Sequence, residues 1–239
     1  MEIPALDAAT VCLLILSAAV AGAFLLGVSK AEKAEAAENS GAGRRVLWTG
    51  AVLAAWLIYS AVLAGKGLLL NADAVPPPMA RILVPGLALV LIAAFSGLGA
   101  RLAKHLGYAS LIGFHAFRLP LEGLLWTFHH QGRLPVQMTF EGRNFDILTG
   151  LSAIVMAVLA QRGMVGRKAA LVWNLAGLGL LLNIIGVAVL SLPGRLLAFH
   201  DEPPNTLVLH FPYVWIPALF VLAAFLGHLV LFRKIRSEP

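Results

Sequence analysis

The sequence predicts an all-α, polytopic membrane protein, with seven transmembrane helices in a single bundle over residues 1–239. Three observations carry that prediction. Charged residues make up only 13% of the chain and hydrophobic residues 59%, whereas a soluble domain carries about 25% charged residues. Apolar runs long enough to cross the roughly 30 Å hydrocarbon core of a bilayer recur along the chain. Basic residues are divided unevenly between alternate connectors, as they are when cytoplasmic loops collect Lys and Arg.

The first apolar run, about 5–28, lacks a basic leader and is long enough to span, so it reads as a retained helix rather than a signal peptide. The Ala/Glu/Lys-rich stretch from Ser29 to Gly43 should continue as a solvated helix until Ser40-Gly41 ends it. Span two covers about 46–70. Pro76-Pro77-Pro78 then stops any helix before span three, about 79–99. Span four, about 108–130, is interrupted by Pro120, which predicts a kink. Spans five, six and seven cover about 145–161, 169–192 and 213–232. The aromatic run Phe211 to Pro217 reads as an interfacial anchor opening the last span.

The charges test the count. Connectors after spans one, three and five, together with the C-terminal tail, hold twelve of the Lys and Arg residues. The opposite side holds five: Lys66, Arg81, Arg133, Arg143 and Arg195. That asymmetry predicts the N-terminus outside and the C-terminus in the cytoplasm. It also accounts for the net charge of +6 without nucleic acid as a partner. Membrane lipids are the expected surroundings, and a prokaryotic plasma membrane the expected location. The oligomeric state is not legible. Cys12 is the only cysteine, so no intrachain disulfide can form.

Span four carries the chemistry. His115, Arg118, Glu122 and His129 recur at spacings that put them on one helical face. Arg118 and Glu122 fall near the membrane midplane, where each charge costs about 2.5–3.5 kcal/mol on insertion scales. They must therefore face the bundle interior or a wet cavity, and they are expected to pair. The loop that follows carries Glu141, Arg143, Asn144 and Asp146. Asn144 and Asp146 suit the start of span five, as an N-cap and a first-turn acid. Glu141 and Arg143 are expected to gate the Arg118–Glu122 site as a lid, since non-helical backbone at membrane depth must line a cavity. Asn174 and Asn183 lie on roughly opposite faces of span six, so at most one can reach that cavity. His228 reads as an interfacial histidine.

No cofactor is expected. The chain holds no H-x3-H or C-x2-C spacing, and the adjacent His129 and His130 point in different directions on a helix. The nearest approach to a metal site is an outer-side set of His129, His130 and His210, with Glu141, Asp201 and Glu202 nearby. A haem held by two histidines would need His115 and His228 to face each other across it. P-loop, G-x-S-x-G, H-E-x-x-H and G-x-G-x-x-G patterns are absent.

The expected function is binding or transport of a small molecule at an intramembrane Arg–Glu site open to the outer face. Its site residues are Arg118, Glu122, His115, Glu141, Arg143, Asn144 and Asp146. The alternative is a membrane enzyme acting on a lipid or other apolar substrate, with Glu122 or Glu141 as acid/base. A structural or accessory subunit, whose polar core only fixes packing, is the third reading.

Overall fold

Leu, Val, Ile and Ala form helices here wherever glycine, proline or a polar turn does not intervene, and those interruptions set the architecture. The computed structural model describes residues 7–35, 41–194 and 196–237. The first two residues of the first expected span, Ser40 of the linker and Arg195 lie outside the described residues. The order is α1 Ala8–Glu35, α2 Ala42–Gly65, α3 Ala80–Phe95, α4 Gly97–His105 and α5 Tyr108–Gly113. It continues with α6 Arg118–His130, α7 Asp146–Gln161, α8 Arg167–Leu190 and α9 Leu222–Ser237. A 3-10 turn at Phe114–Phe117 joins α5 to α6, and a π turn at Ile216–Val221 opens α9. No strand occurs among the described residues.

Among the described residues, four helical rods are long and apolar enough to cross a membrane: α1, α2, α8 and the π turn continued by α9. The bent pair α3–α4 makes a fifth if it is one span. The other two expected spans are built of shorter pieces. Tyr108–His130 is interrupted by its 3-10 turn, and α7 has 16 residues. Outward faces are strongly apolar, with Leu47 73%, Val172 69% and Phe95 67% exposed. Such a surface suits lipid and not water.

Local interruptions have physical causes. Span three ends earlier than its apolar run suggests, because Ser96 caps a new helix. Its hydroxyl accepts the Leu98 N–H at 3.2 Å, and the chain bends by 58° into α4. A Cβ on Gly99 would lie 2.0 Å from the Ala94 carbonyl oxygen, so only glycine fits that corner. The distortion expected at Pro120 falls one turn earlier, in the 3-10 segment. Proline lacks the N–H that would bond the carbonyl four residues back, at Ala116, and its ring crowds that carbonyl. Pro217 acts similarly on the π turn, where the Trp56 indole donates to the Ala218 carbonyl at 2.8 Å.

Two clusters of charge tie opposite ends of α1 to the bundle. At its C-terminal end, Glu32 is buried and accepts from Arg45 at 2.5 Å and Arg101 at 2.7 Å. Glu35 is bonded by Lys104 at 2.9 Å and by His105. The start of the linker helix is therefore anchored through Glu32, while Lys30, Lys33 and Ala34 remain exposed as expected. At the N-terminal end, Arg133 donates to Asp7 at 2.9 Å and to the Tyr213 hydroxyl. Tyr213 is 1% exposed and hydrogen-bonds Thr10 at 2.6 Å. It is a buried link between α1 and the last rod, which corrects its reading as an interfacial anchor.

α6 and α7 cross closely because Gly150 has no side chain. A Cβ there would sit 2.5 Å from the Leu119 backbone nitrogen. That approach places the first residue of α7 against the first turn of α6. Gly150→Ala is expected to lower stability by about 1–3 kcal/mol through overpacking. Thermal unfolding in detergent checks this, with Gly179→Ala, whose Cβ would meet nothing within 4 Å, as the near-neutral control.

Candidate intramembrane polar site

Arg118 opens α6 and Glu122 lies one turn later, on the same helical face. Both are buried, at 1% and 2% exposure. The expected Arg118–Glu122 ion pair is corrected. Arg118 Nη1 donates to Asp146 Oδ1 at 2.8 Å, while Glu122 Oε1 accepts from Asn144 Nδ2 at 2.7 Å. Asp146 wins the guanidinium because the α6–α7 crossing at Gly150 delivers the first turn of α7 directly to Arg118. Its carboxylate also sits at the positive end of the α7 dipole.

The guanidinium continues into a chain of bonds across the bundle. Arg118 Nη2 lies 3.1 Å from His228 Nε2, and His228 Nδ1 lies 2.8 Å from Asn174 Oδ1. Arginine only donates and an amide oxygen only accepts, so His228 carries its proton on Nδ1 and accepts at Nε2. The Asn174 amide nitrogen returns a bond to the His228 carbonyl at 3.2 Å. Asp146, Arg118, His228 and Asn174 thereby connect α7, α6, α9 and α8. His228 is fully buried, which corrects its interfacial reading.

His115 is also fully buried, but it does not join this hydrogen-bonded chain. Its ring lies against His228 with centroids 4.2 Å apart, and it meets Trp173 edge-on at 5.4 Å. Neither ring nitrogen has a hydrogen-bond partner among the described residues. The two imidazoles touch, so a haem has no room between them. Glycines make the stack possible: a Cβ on Gly227 would lie 2.7 Å from His115 Nε2, and one on Gly177 2.8 Å from His228 Cε1.

The loop before α7 divides its polar residues between two sides. Asn144 points inward, with Nδ2 also on the Met138 carbonyl at 3.1 Å and Oδ1 accepting the Asp146 N–H at 3.1 Å. Phe145 and not Asn144 is the N-cap of α7, which corrects the capping reading. Asn144 lies one residue earlier, bonds the first N–H of the helix and spends its amide on Glu122. Glu141 and Arg143 point elsewhere. Glu141 Oε1 accepts the Trp126 indole N–H at 2.8 Å. The Arg143 guanidinium lies 4.8 Å from the Phe199 ring centre. Neither lines the cavity at Arg118 and Glu122, so the lid geometry is corrected. The loop instead folds tightly on itself: a Cβ on Gly142 would meet the Val136 carbonyl oxygen at 2.4 Å. Asn183 bonds the Arg143 carbonyl at 2.8 Å on an exposed face, so of the two asparagines only Asn174 turns inward.

A cavity of about 80 Å³ begins at this cluster. Arg118, Glu122, Asn144 and Asp146 form its polar end, and residues such as Leu83, Leu125, Leu181 and Phe220 its apolar walls. It shares Met79, Leu83, Val189 and Leu192 with a larger pocket of about 670 Å³ near the 70–80 and 192–210 connectors. Arg118 Nε and Glu122 Oε2 are buried and have no hydrogen-bond partner among the described residues.

At the far end of α6, one donor atom from each of His129, His130 and Glu141 lies within 4.8 Å of the others. The rings of the two adjacent histidines meet edge-on with centroids 5.3 Å apart, although both residues belong to α6. His210, expected with them, instead lines the larger pocket, and burial pushes its imidazole below the ordinary value. Sequence reasoning missed His228 as a partner of Arg118 and Asn174 as the partner of His228. A glycine next to the histidine (Gly227) and another three residues after the asparagine (Gly177) are the sequence signs of a close helix approach there.

Asp146→Asn strands the Arg118 charge in the bundle and is expected to cost about 3–5 kcal/mol. Glu122→Gln keeps a hydrogen-bonding group opposite Asn144 and should cost much less. Detergent unfolding of the two variants checks the ranking, and the reverse order would mean that Glu122 is the principal counter-charge.

No curated protein and no solved structure matches this chain. A family model does match residues 77–236, a stretch that holds every residue of the polar cluster and leaves out α1 and α2. By that match the chain belongs to the family described as Domain of unknown function (DUF8737).

Proposed function

We propose that this protein binds or transports a small molecule through the Arg118–Glu122–Asp146 site, in a bundle of seven membrane spans with the N-terminus outside. The observation that carries the reading is a pair of buried, unpartnered atoms at one end of an apolar cavity. Arg118 Nε offers a donor and Glu122 Oε2 an acceptor, where protein interiors normally satisfy both. A ligand with a polar or acidic group and an apolar body fits that wall chemistry. The cavity of about 80 Å³ admits only a narrow part of it, and the shared wall at Met79 and Val189 leads the rest toward the larger pocket.

The orientation rests on the charge asymmetry of the connectors. On that basis the Glu32–Arg45–Arg101 cluster is cytoplasmic, and the Asp7–Arg133 cluster and the larger pocket are outside. Access to Arg118 then runs from the outer face. Arg118 supplies the charge that receives the ligand, and Glu122 balances it or carries a proton.

A membrane enzyme would use the same Glu122 oxygen as its acid/base, because Glu141 is held by Trp126 away from the cavity. A purely structural role is favoured by one observation, the bonded chain from Asp146 to Asn174 that ties four helices. Removing both charges together separates binding from packing. Replacing a buried pair by apolar side chains is often neutral or stabilising, so Arg118→Leu with Asp146→Leu should remain folded. Native mass spectrometry of the gently purified protein is expected to show a retained small molecule in the wild type that is lost in the folded double variant. Equal retention in both, or none in the wild type, would contradict the reading.

A further inference from the structure

The last turn of α6 and the loop after it assemble a second constellation, unconnected to Arg118. His129 Nδ1 lies 2.8 Å from the Leu134 carbonyl oxygen, and His130 Nδ1 lies 3.1 Å from the Trp126 carbonyl oxygen. A carbonyl can only accept, so each Nδ1 carries its proton and each Nε2 keeps its lone pair. That is the arrangement of metal-binding histidines, whose second nitrogen donates to a carbonyl that fixes tautomer and ring orientation. Glu141 is oriented in the same way, by the Trp126 indole on one carboxylate oxygen. The Trp126 ring also packs against His130, with centroids 4.1 Å apart and the planes tilted by 40°. One donor atom from each of the three side chains lies within 4.8 Å of the other two.

We propose that His129, His130 and Glu141 form a binding site for a divalent transition-metal ion of the Zn²⁺ type. Two imidazoles and one carboxylate are the donor set such ions prefer over Mg²⁺ or Ca²⁺, which take oxygen. A tetrahedral ion with ligands near 2.0 Å needs donors about 3.4 Å apart, so the set must close by about 1 Å. His130 and Glu141 are exposed and can do so by side-chain rotation. Water or an external group completes the fourth position. The ion would fasten the 132–146 loop to the end of α6, three residues before the Asn144 that holds Glu122.

The test uses untagged full-length protein, stripped with chelator and titrated calorimetrically with ZnCl₂ in detergent. The wild type is expected to bind one Zn²⁺ per chain and to gain thermal stability with it. His130→Gln with Glu141→Gln should weaken binding by about 100-fold and abolish the stabilisation, at unchanged helical circular dichroism. His210→Gln should bind as the wild type does. The proposal is overturned if the wild type binds no Zn²⁺, if the folded double variant binds equally well, or if His210→Gln removes binding.

Discussion

One ion pair, Arg118 with Asp146, sets the geometry of the bundle core. A guanidinium buried in an apolar helical bundle is tolerable only with a counter-charge and filled donor positions. Asp146 meets the first need from the start of α7 at 2.8 Å, and His228 takes a second donor from α9. Those bonds require α6, α7 and α9 to approach closely, and glycines at 150, 177 and 227 remove the side chains that would prevent it. The positions of the small residues thus follow from the position of the charge. Asn174 completes the arrangement by fixing the tautomer in which His228 can accept.

Glu122 stands apart from this closed chain. It has one oxygen on Asn144 and the other free at the cavity, so it is held in place but not saturated. An unmet buried acceptor costs about 1–3 kcal/mol, so the free oxygen is stability forgone beside the cavity. The division of labour is therefore spatial. Asp146 supplies the counter-charge that keeps Arg118 folded in, and Glu122 and Arg118 Nε present unspent hydrogen-bonding capacity to the apolar space beside them.

Much of this was legible in the sequence, for reasons that can be named. Apolar runs and their interruptions gave the all-helical reading and the long helices α1, α2 and α8. The cost of intramembrane charge singled out Arg118 and Glu122. The pairing was misread because helical spacing makes i and i+4 residues neighbours on one helix, while the actual partner arrives across a helix crossing. That crossing depends on Gly150, whose role appears only once α7 is placed. His228 suffered the same fate: it lies near the end of the apolar run 213–232, but α9 continues to Ser237 and packing against α6 and α8 buries it. Glu141 and Arg143 were expected to turn inward as a lid, but the tight fold at Gly142 sends them outward. The convergence of His129 and His130 escaped notice because helical periodicity fixes where adjacent side chains leave the backbone and not where their rings end.

An experimental density map of the gently purified protein tests the central claim most directly. The account predicts elongated density that is not protein, contacting Arg118 Nε and Glu122 Oε2 and running between Leu83 and Val189. A dry core in which a protein group occupies Glu122 Oε2 and the cavity is filled by side chains would contradict it.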